Sequence, residues 1–340
     1  MLKASLPNPV GRILGKLNGH YLKQRTEARF LSSVAASDAV YIWGRVPPDF
    51  ICALKDRGAL IFQEKINGLN AASREILDGV YKRLGKRPAH RITEDHIERD
   101  LTQLSLVDYV FVANPVAADQ YGRFGVDTRK IIRSSYGWEQ SRFSGSDIHR
   151  TGRKFTAAFV GVADIHKGAN LLLRAWAQSG IEGRLVFGGP VSKALAEDCA
   201  DLLARSDVVV TGWTDDVEKV YRSADVFVFP SHDEGGPLVT YEAMGCGLPV
   251  VVSPVGAGAI ARDGLDGYVI DPFDLDGWID ALRRLAADPE LRRSMGAAAK
   301  RRAHDFTWEK VGARRRQAIL ERMRATPSSP VAAPAIAGSG

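Results

Sequence analysis

Apolar and polar positions alternate in blocks along the chain. Short β-branched runs are followed by longer stretches of helical period. The first clear apolar run covers 39–43 and reads as a strand, followed by a helix over 49–57 and a strand over 59–63. Helices are predicted over 71–84 and from about 93 to 106, the second with Glu94 and Asp95 in its first turn, where the helix dipole favours acids. A strand over 109–113, a helix over 115–124 and a strand over 130–133 complete this half. Such alternation indicates a parallel sheet covered by helices.

Residues 144–153 are rich in Ser, Gly and charge, and they read as a linker. The rhythm then resumes with strands over 155–161, 184–187, 208–211, 225–230 and 249–252 and helices over 170–178, 192–204, 218–223 and 238–244. Helices over 277–286 and 289–305 and a last one to about 323 follow; from 325 onward Pro, Ala, Ser and Gly predominate, so 324–340 is expected to be disordered. The expected organisation is a first domain over 1–143, the linker, a second domain over 154–305, a final helix over 306–323 and a tail.

Length and composition fit that division. A chain of 340 residues, 45% hydrophobic and 25% charged, is long enough for two ordinary globular domains. No apolar run is long enough to span a bilayer. Cys52, Cys199 and Cys246 are scattered without metal or disulfide spacing, as expected of a cytoplasmic protein. Charge is uneven: residues 1–150 hold 23 Lys+Arg against 16 Asp+Glu, and residues 151–340 hold 23 against 24. No nucleic-acid recognition motif accompanies the basic half.

The chemistry concentrates in 225–255, DVFVFPSHDEGGPLVTYEAMGCGLPVVVSPV. Strand, glycine-rich loop, helix and strand make a βαβ unit, whose helix N-terminus suits a phosphate or diphosphate. Gly235 and Gly236 allow close backbone approach, and Pro237 suits a first helical turn because it has no N–H to lose. Glu234 lies just before the helix and Glu242 about one turn inside it. Beside a diphosphate, carboxylates suit sugar or ribose hydroxyls; the plainer alternative is a dipole-favoured helix-start glutamate and a solvated one.

The string Pro230, Ser231, Glu234, Gly235, Glu242, Ala243, Gly245, Gly247, Pro249, Val250, Val251 resembles the donor-binding signature of the family-4 retaining glycosyltransferases (glycosyl transferases group 1). Pro237 departs from it, standing where many members carry a glycine. The resemblance spans about 95–322. It implies an α/β GT-B fold: two Rossmann-like domains with parallel sheets facing across a cleft. The first domain here is expected to lack its opening strands and glycine loop. Segments 108–115 and 135–143 resemble the rest of that domain.

The resemblance implies that Lys167, followed by Gly168, contacts the diphosphate of a nucleotide-sugar donor, with His166 a further candidate and Val162 standing where the family has arginine. Glu234 and Lys167 are the expected catalytic residues. Gly235, Gly236, Leu238, Val239 and Glu242 would bind the donor, with Gly212 and Trp213 beside the base. Trp213 has the alternative of a structural aromatic. The implied activity is transfer of a sugar, with retention, to a glycan, lipid-linked or small-molecule acceptor in polysaccharide or glycoconjugate biosynthesis (hexosyltransferase type). No cofactor and no metal are expected. Asp274-Leu275-Asp276 matches the metal motif of the other glycosyltransferase fold but reads better as a helix start.

Two other readings stand beside this one. A sugar phosphorylase or nucleotide-sugar epimerase on the same fold should show a pyridoxal-type lysine, and none stands out. A degenerate nucleotide-sugar-binding or partner subunit would fit the short first domain and Val162. The stretch 11–36 is expected to be helical, mixing Arg12, Lys16, Lys23, Arg25 and Arg29 with Leu14, Leu17, Leu22, Phe30 and Leu31. Such a helix suits either peripheral contact with an anionic membrane on its inner face or packing of its leucines on the sheet.

Overall fold

The structure, a computed structural model, describes residues 26–36, 38–143 and 154–325. Its first four apolar runs form a parallel sheet in the order β1 (Ala39–Trp43), β2 (Leu60–Lys65), β3 (Tyr109–Val112), β4 (Ile131–Arg133). The connections are helical: α1 (Pro48–Asp56), α2 (Asn70–Arg83), α3 (Glu94–Leu106) and α4 (Pro115–Gln120). Local chemistry sets their starts. Thr93 Oγ1 accepts from the His96 amide at 3.3 Å, and Asn114 Oδ1 from the Val116 amide at 3.1 Å.

One set of first-domain residues, including Leu54, Ile61, Leu104 and Val110, forms its larger core. Phe62, Phe111 and Ile132 form a second cluster, closed by Ala318 and Ile319 from the end of the chain. Of the basic helix expected over 11–36, residues 26–33 are helical, with Leu31 packed on the larger core and the Phe30 ring 6.2 Å from that of Phe50. Arg12, Lys16, Lys23 and Arg25 lie outside the described residues, as do the linker over 144–153 and the expected tail beyond 325.

The second sheet is also parallel, in the order β10-β9-β8-β5-β6-β7. Its strands are β5 (Phe155–Val160), β6 (Gly183–Gly188), β7 (Val208–Val210), β8 (Val226–Phe229), β9 (Val250–Val252) and β10 (Gly267–Val269). Helices α5 (Ala169–Ser179), α6 (Lys193–Asp198), α7 (Ala200–Leu203), α8 (Val217–Ser223), α9 (Leu238–Gly245), α10 (Leu275–Ala287) and α11 (Pro289–Ala303) cover it. The chain runs from β5 outward to β7, then returns to the other side of β5 with β8. That reversal opens a crevice at the carboxyl ends of β5 and β8, where ligands of such sheets bind.

Two expected helices differ in form. The helix expected over 192–204 breaks at Cys199, whose φ of −127° and ψ of 29° leave helical geometry while its side chain enters the core. The one expected over 115–124 tightens into a 3-10 turn at Tyr121–Phe124. Helix α12 (Trp308–Ala325) packs Ala318 and Ile319 on the first sheet. Trp138 fixes its point of departure: the indole N–H donates to Ala303 O at 2.8 Å and the amide to Phe306 O at 3.0 Å.

Candidate functional site

The β5 and β8 loops meet in the crevice. Gly168 precedes α5 with φ +68°, and a Cβ there would lie 2.1 Å from Pro230 O. Only glycine lets the two loops approach so closely. Lys167, just before it, is held by its amide donating to Asp164 Oδ1 at 2.8 Å. Its ammonium reaches across to Glu234, Nζ to Oε1 being 3.6 Å, and lies 5.3 Å from the centre of the Phe229 ring.

Glu234 is 14% exposed and Lys167 27%. Burial pushes the Glu234 carboxyl above its ordinary range; Lys167, His166 and the Ser231 hydroxyl, which donates at 3.0 Å, pull the other way. This lysine and glutamate, brought together from different loops, form a polar, half-enclosed pair. The expected catalytic pair is therefore in contact. His166 is committed otherwise: its Nε2 donates to Asp233 O at 2.8 Å, while its own carbonyl accepts from the His232 amide at 3.0 Å. It ties the loops together and is not free to replace the arginine missing at half-buried Val162.

The glycines differ from expectation in what they approach. A Cβ on Gly235 would lie 2.0 Å from Ile66 O, and one on Gly236 would lie 2.4 Å from the Tyr136 ring. They let the loop sit against the first domain, so their need for space comes from protein contacts. Pro237 is the residue before α9, with φ −78° and ψ 83°, rather than its first turn. The Leu238 amide donates to Gly236 O at 3.0 Å and so belongs to the turn. Leu238 is exposed and Val239 half-buried.

The two glutamates have separate surroundings. Buried Tyr221 donates to Glu242 Oε2 at 3.0 Å and also reaches Val239 O at 3.3 Å. Burial raises the Glu242 carboxyl, opposed by that hydrogen bond and by Arg142. Gly212 turns the chain after β7 with φ +69°, and Trp213 beyond it is 83% exposed, which excludes a core role for its ring.

Three contributors escaped the sequence reading. Asn114, besides capping α4, donates through Nδ2 to Glu234 O and Val255 O, both at 2.9 Å. Tyr136 rests on Gly236. Phe273 lies between the Arg83 guanidinium, 4.3 Å from its ring centre, and the His232 ring at 5.0 Å, linking α2 to the second domain. No local pattern marks a contact between domains. Among the described residues no group of three or more His, Cys, Asp or Glu could hold a metal ion. Asp274 accepts from the Gly277 amide at 3.0 Å as the cap of α10.

Two parallel Rossmann-like domains, with a lysine, a glutamate and a glycine-rich helix start in the crevice of the second, define a GT-B protein. Residues 146–302 match the family model of the glycosyl transferases group 1. It is 33% identical over 229 residues to a D-inositol 3-phosphate glycosyltransferase of Actinosynnema mirum, a match covering 60% of this chain and 55% of that protein. A sucrose-phosphate synthase of Thermosynechococcus elongatus superposes with a TM-score of 0.66 at 22% identity, over 85% of this chain and 74% of the other. Anabaena HepE in complex with UDP gives 0.65 at 16%, over 88% and 82%. At these identities the likeness to solved structures is one of fold. The chain spans about half the length of the curated relatives it matches.

Proposed function

We propose that this protein transfers a sugar from a nucleoside diphosphate sugar to a hydroxyl acceptor, with retention at the anomeric carbon. The observation that carries the reading is Lys167 beside Glu234, 3.6 Å apart in the crevice at the start of α9. A diphosphate entering there would meet the ammonium and the helix amides, which stabilise the charge growing on it as the sugar leaves. Glu234 would accept hydrogen bonds from donor-sugar hydroxyls, and Glu242, steadied by Tyr221, from the ribose. Exposed Trp213 is available to stack on the base. No acid is placed as a covalent nucleophile, so the acceptor would attack from the face the diphosphate leaves, with that group taking the proton.

The acceptor, a glycan, a lipid-linked glycan or a small molecule, would bind mainly at the first domain. No helix among the described residues is long and apolar enough to cross a membrane. A lipid-linked acceptor would bring the protein to the inner face of a membrane, where the excess of basic residues in the first half of the sequence would favour anionic lipid. Sedimentation with anionic vesicles that weakens steeply with salt supports this arm; none at low salt leaves a soluble acceptor.

Calorimetry with uridine, guanosine and adenosine diphosphate sugars tests the main reading. Lys167→Ala removes a charge-assisted contact and should weaken binding of the preferred donor by about 1.5–3 kcal/mol. Equal binding by wild type and variant would remove Lys167 from the site. Donor binding without turnover on any acceptor would favour the degenerate subunit, the reading that Val162 supports.

A further inference from the structure

Away from the β5–β8 crevice, a cavity of about 400 Å³ opens where the final helix leaves the second domain and meets the first. That volume lies within the roughly 300–1,000 Å³ of small-molecule pockets. Its walls carry four arginines from three parts of the fold: Arg133 ends β4, Arg302 ends α11, and Arg314 and Arg315 lie on α12.

Two of these charges are spent. Arg133 pairs with Asp119, and Arg315 with Glu64. The other two donate only to carbonyls in the contacts seen here: Arg302 Nε to Ile260 O at 3.3 Å and Arg314 Nη1 to Asp305 O at 2.8 Å. Both guanidinium groups lie over the Phe306 ring, 4.8 and 5.4 Å from its centre. Two like charges are thus gathered on one aromatic ring. Asp305 lines the same cavity, but its carboxylate faces Lys310 at 3.3 Å.

We propose that this cavity binds a small organic phosphate. The phosphate would take the free N–H groups of Arg302 and Arg314, for which a planar guanidinium is well shaped. Phe111, Ile132 and Ala318 supply an apolar wall for the organic part. Such a ligand would also reach the crevice indirectly. Ser135 lines the cavity, and the next residue, Tyr136, rests on Gly236. Occupancy would bias the seating of the glycine loop, a coupling that donor binding must return with equal strength.

Thermal unfolding and calorimetry at constant ionic strength, with glycerol phosphate, inorganic phosphate and neutral glycerol as probes, test this. Both phosphates should raise the melting temperature above chloride alone, the ester more than the inorganic ion, and glycerol should do nothing. Arg302→Gln with Arg314→Gln should weaken phosphate binding by roughly tenfold or more. Lysine at both positions should restore part of it and controls for folding. Lys167→Gln separates the crevice and should leave phosphate binding unchanged. Inorganic phosphate binding as tightly as the ester would mean a bare anion site and overturn the organic ligand. Binding undiminished in the double glutamine variant, lost in Lys167→Gln, or no stronger than chloride would overturn the site altogether.

Discussion

Arg315 on α12 closes on Glu64 of β2 with two donors, Nη1 at 2.5 Å and Nη2 at 3.1 Å from the two carboxylate oxygens. Glu64 is fully buried and Arg315 is 12% exposed. Nη2 also donates to Ser135 O at 2.8 Å, and the Tyr41 hydroxyl donates to the same carboxylate. The pair fastens the last helix to the first sheet. Residues 251 positions apart in sequence thereby hold the two domains in register.

Breaking that pair on one side leaves a buried charge alone. Arg315→Ala should destabilise the fold by about 3–5 kcal/mol, whereas Glu64→Leu with Arg315→Met should cost much less, because neither charge is then left unpaired. Urea denaturation of the three proteins measures both. A single variant as stable as wild type would mean that water already reaches Glu64.

The glycines of the crevice loop make a second pair of expectations. Gly236→Ala directs a methyl at the Tyr136 ring and should cost about 1–3 kcal/mol, with partial rescue by Tyr136→Leu. Gly235→Ala meets the Ile66 carbonyl instead, where no side chain can yield, so it should part the domains. Small-angle scattering should then show a larger radius of gyration for Gly235→Ala than for wild type.

His232 sets an acid limit. Burial, with His166 nearby, depresses its pKa to about 4, while Asp271 opposes the shift. The folded protein therefore holds His232 neutral while the unfolded chain takes up a proton near pH 6.5. Its contribution is fully present above that pH and is lost as pH falls toward 4, on the order of 3 kcal/mol in all. His232→Gln should flatten stability against pH in that window. Parallel wild-type and variant curves would reject this assignment.

Asp274 offers a test of metal dependence. As a helix cap, Asp274→Ala should cost about 1 kcal/mol and Asp274→Asn little. Turnover should survive chelation in wild type, and neither substitution should change its response to manganese. Activity abolished by chelator and restored by manganese or magnesium would overturn metal independence.

The local grammar of this chain was legible in its residues. Runs such as VFVF in β8 and caps such as Thr93 and Asp274 depend on neighbours within a few positions, so strand, helix and start follow from hydrophobic period and hydrogen-bonding chemistry. The break at Cys199 did not, because the burial of its side chain depends on distant partners. The meeting of Lys167 with Glu234 was reached through family resemblance; physically it arises because β5 and β8 are neighbours in the sheet, an order no local pattern encodes. The same limit explains the glycines: residue type announced close approach, but only the packed structure decided that Ile66 and Tyr136 fill the space. It also explains Arg315. Its charge was plain in the sequence, but whether it met water or Glu64 depended on which helix closed the first sheet, a choice made by burial of Phe62, Phe111 and Ile319 from opposite ends of the chain.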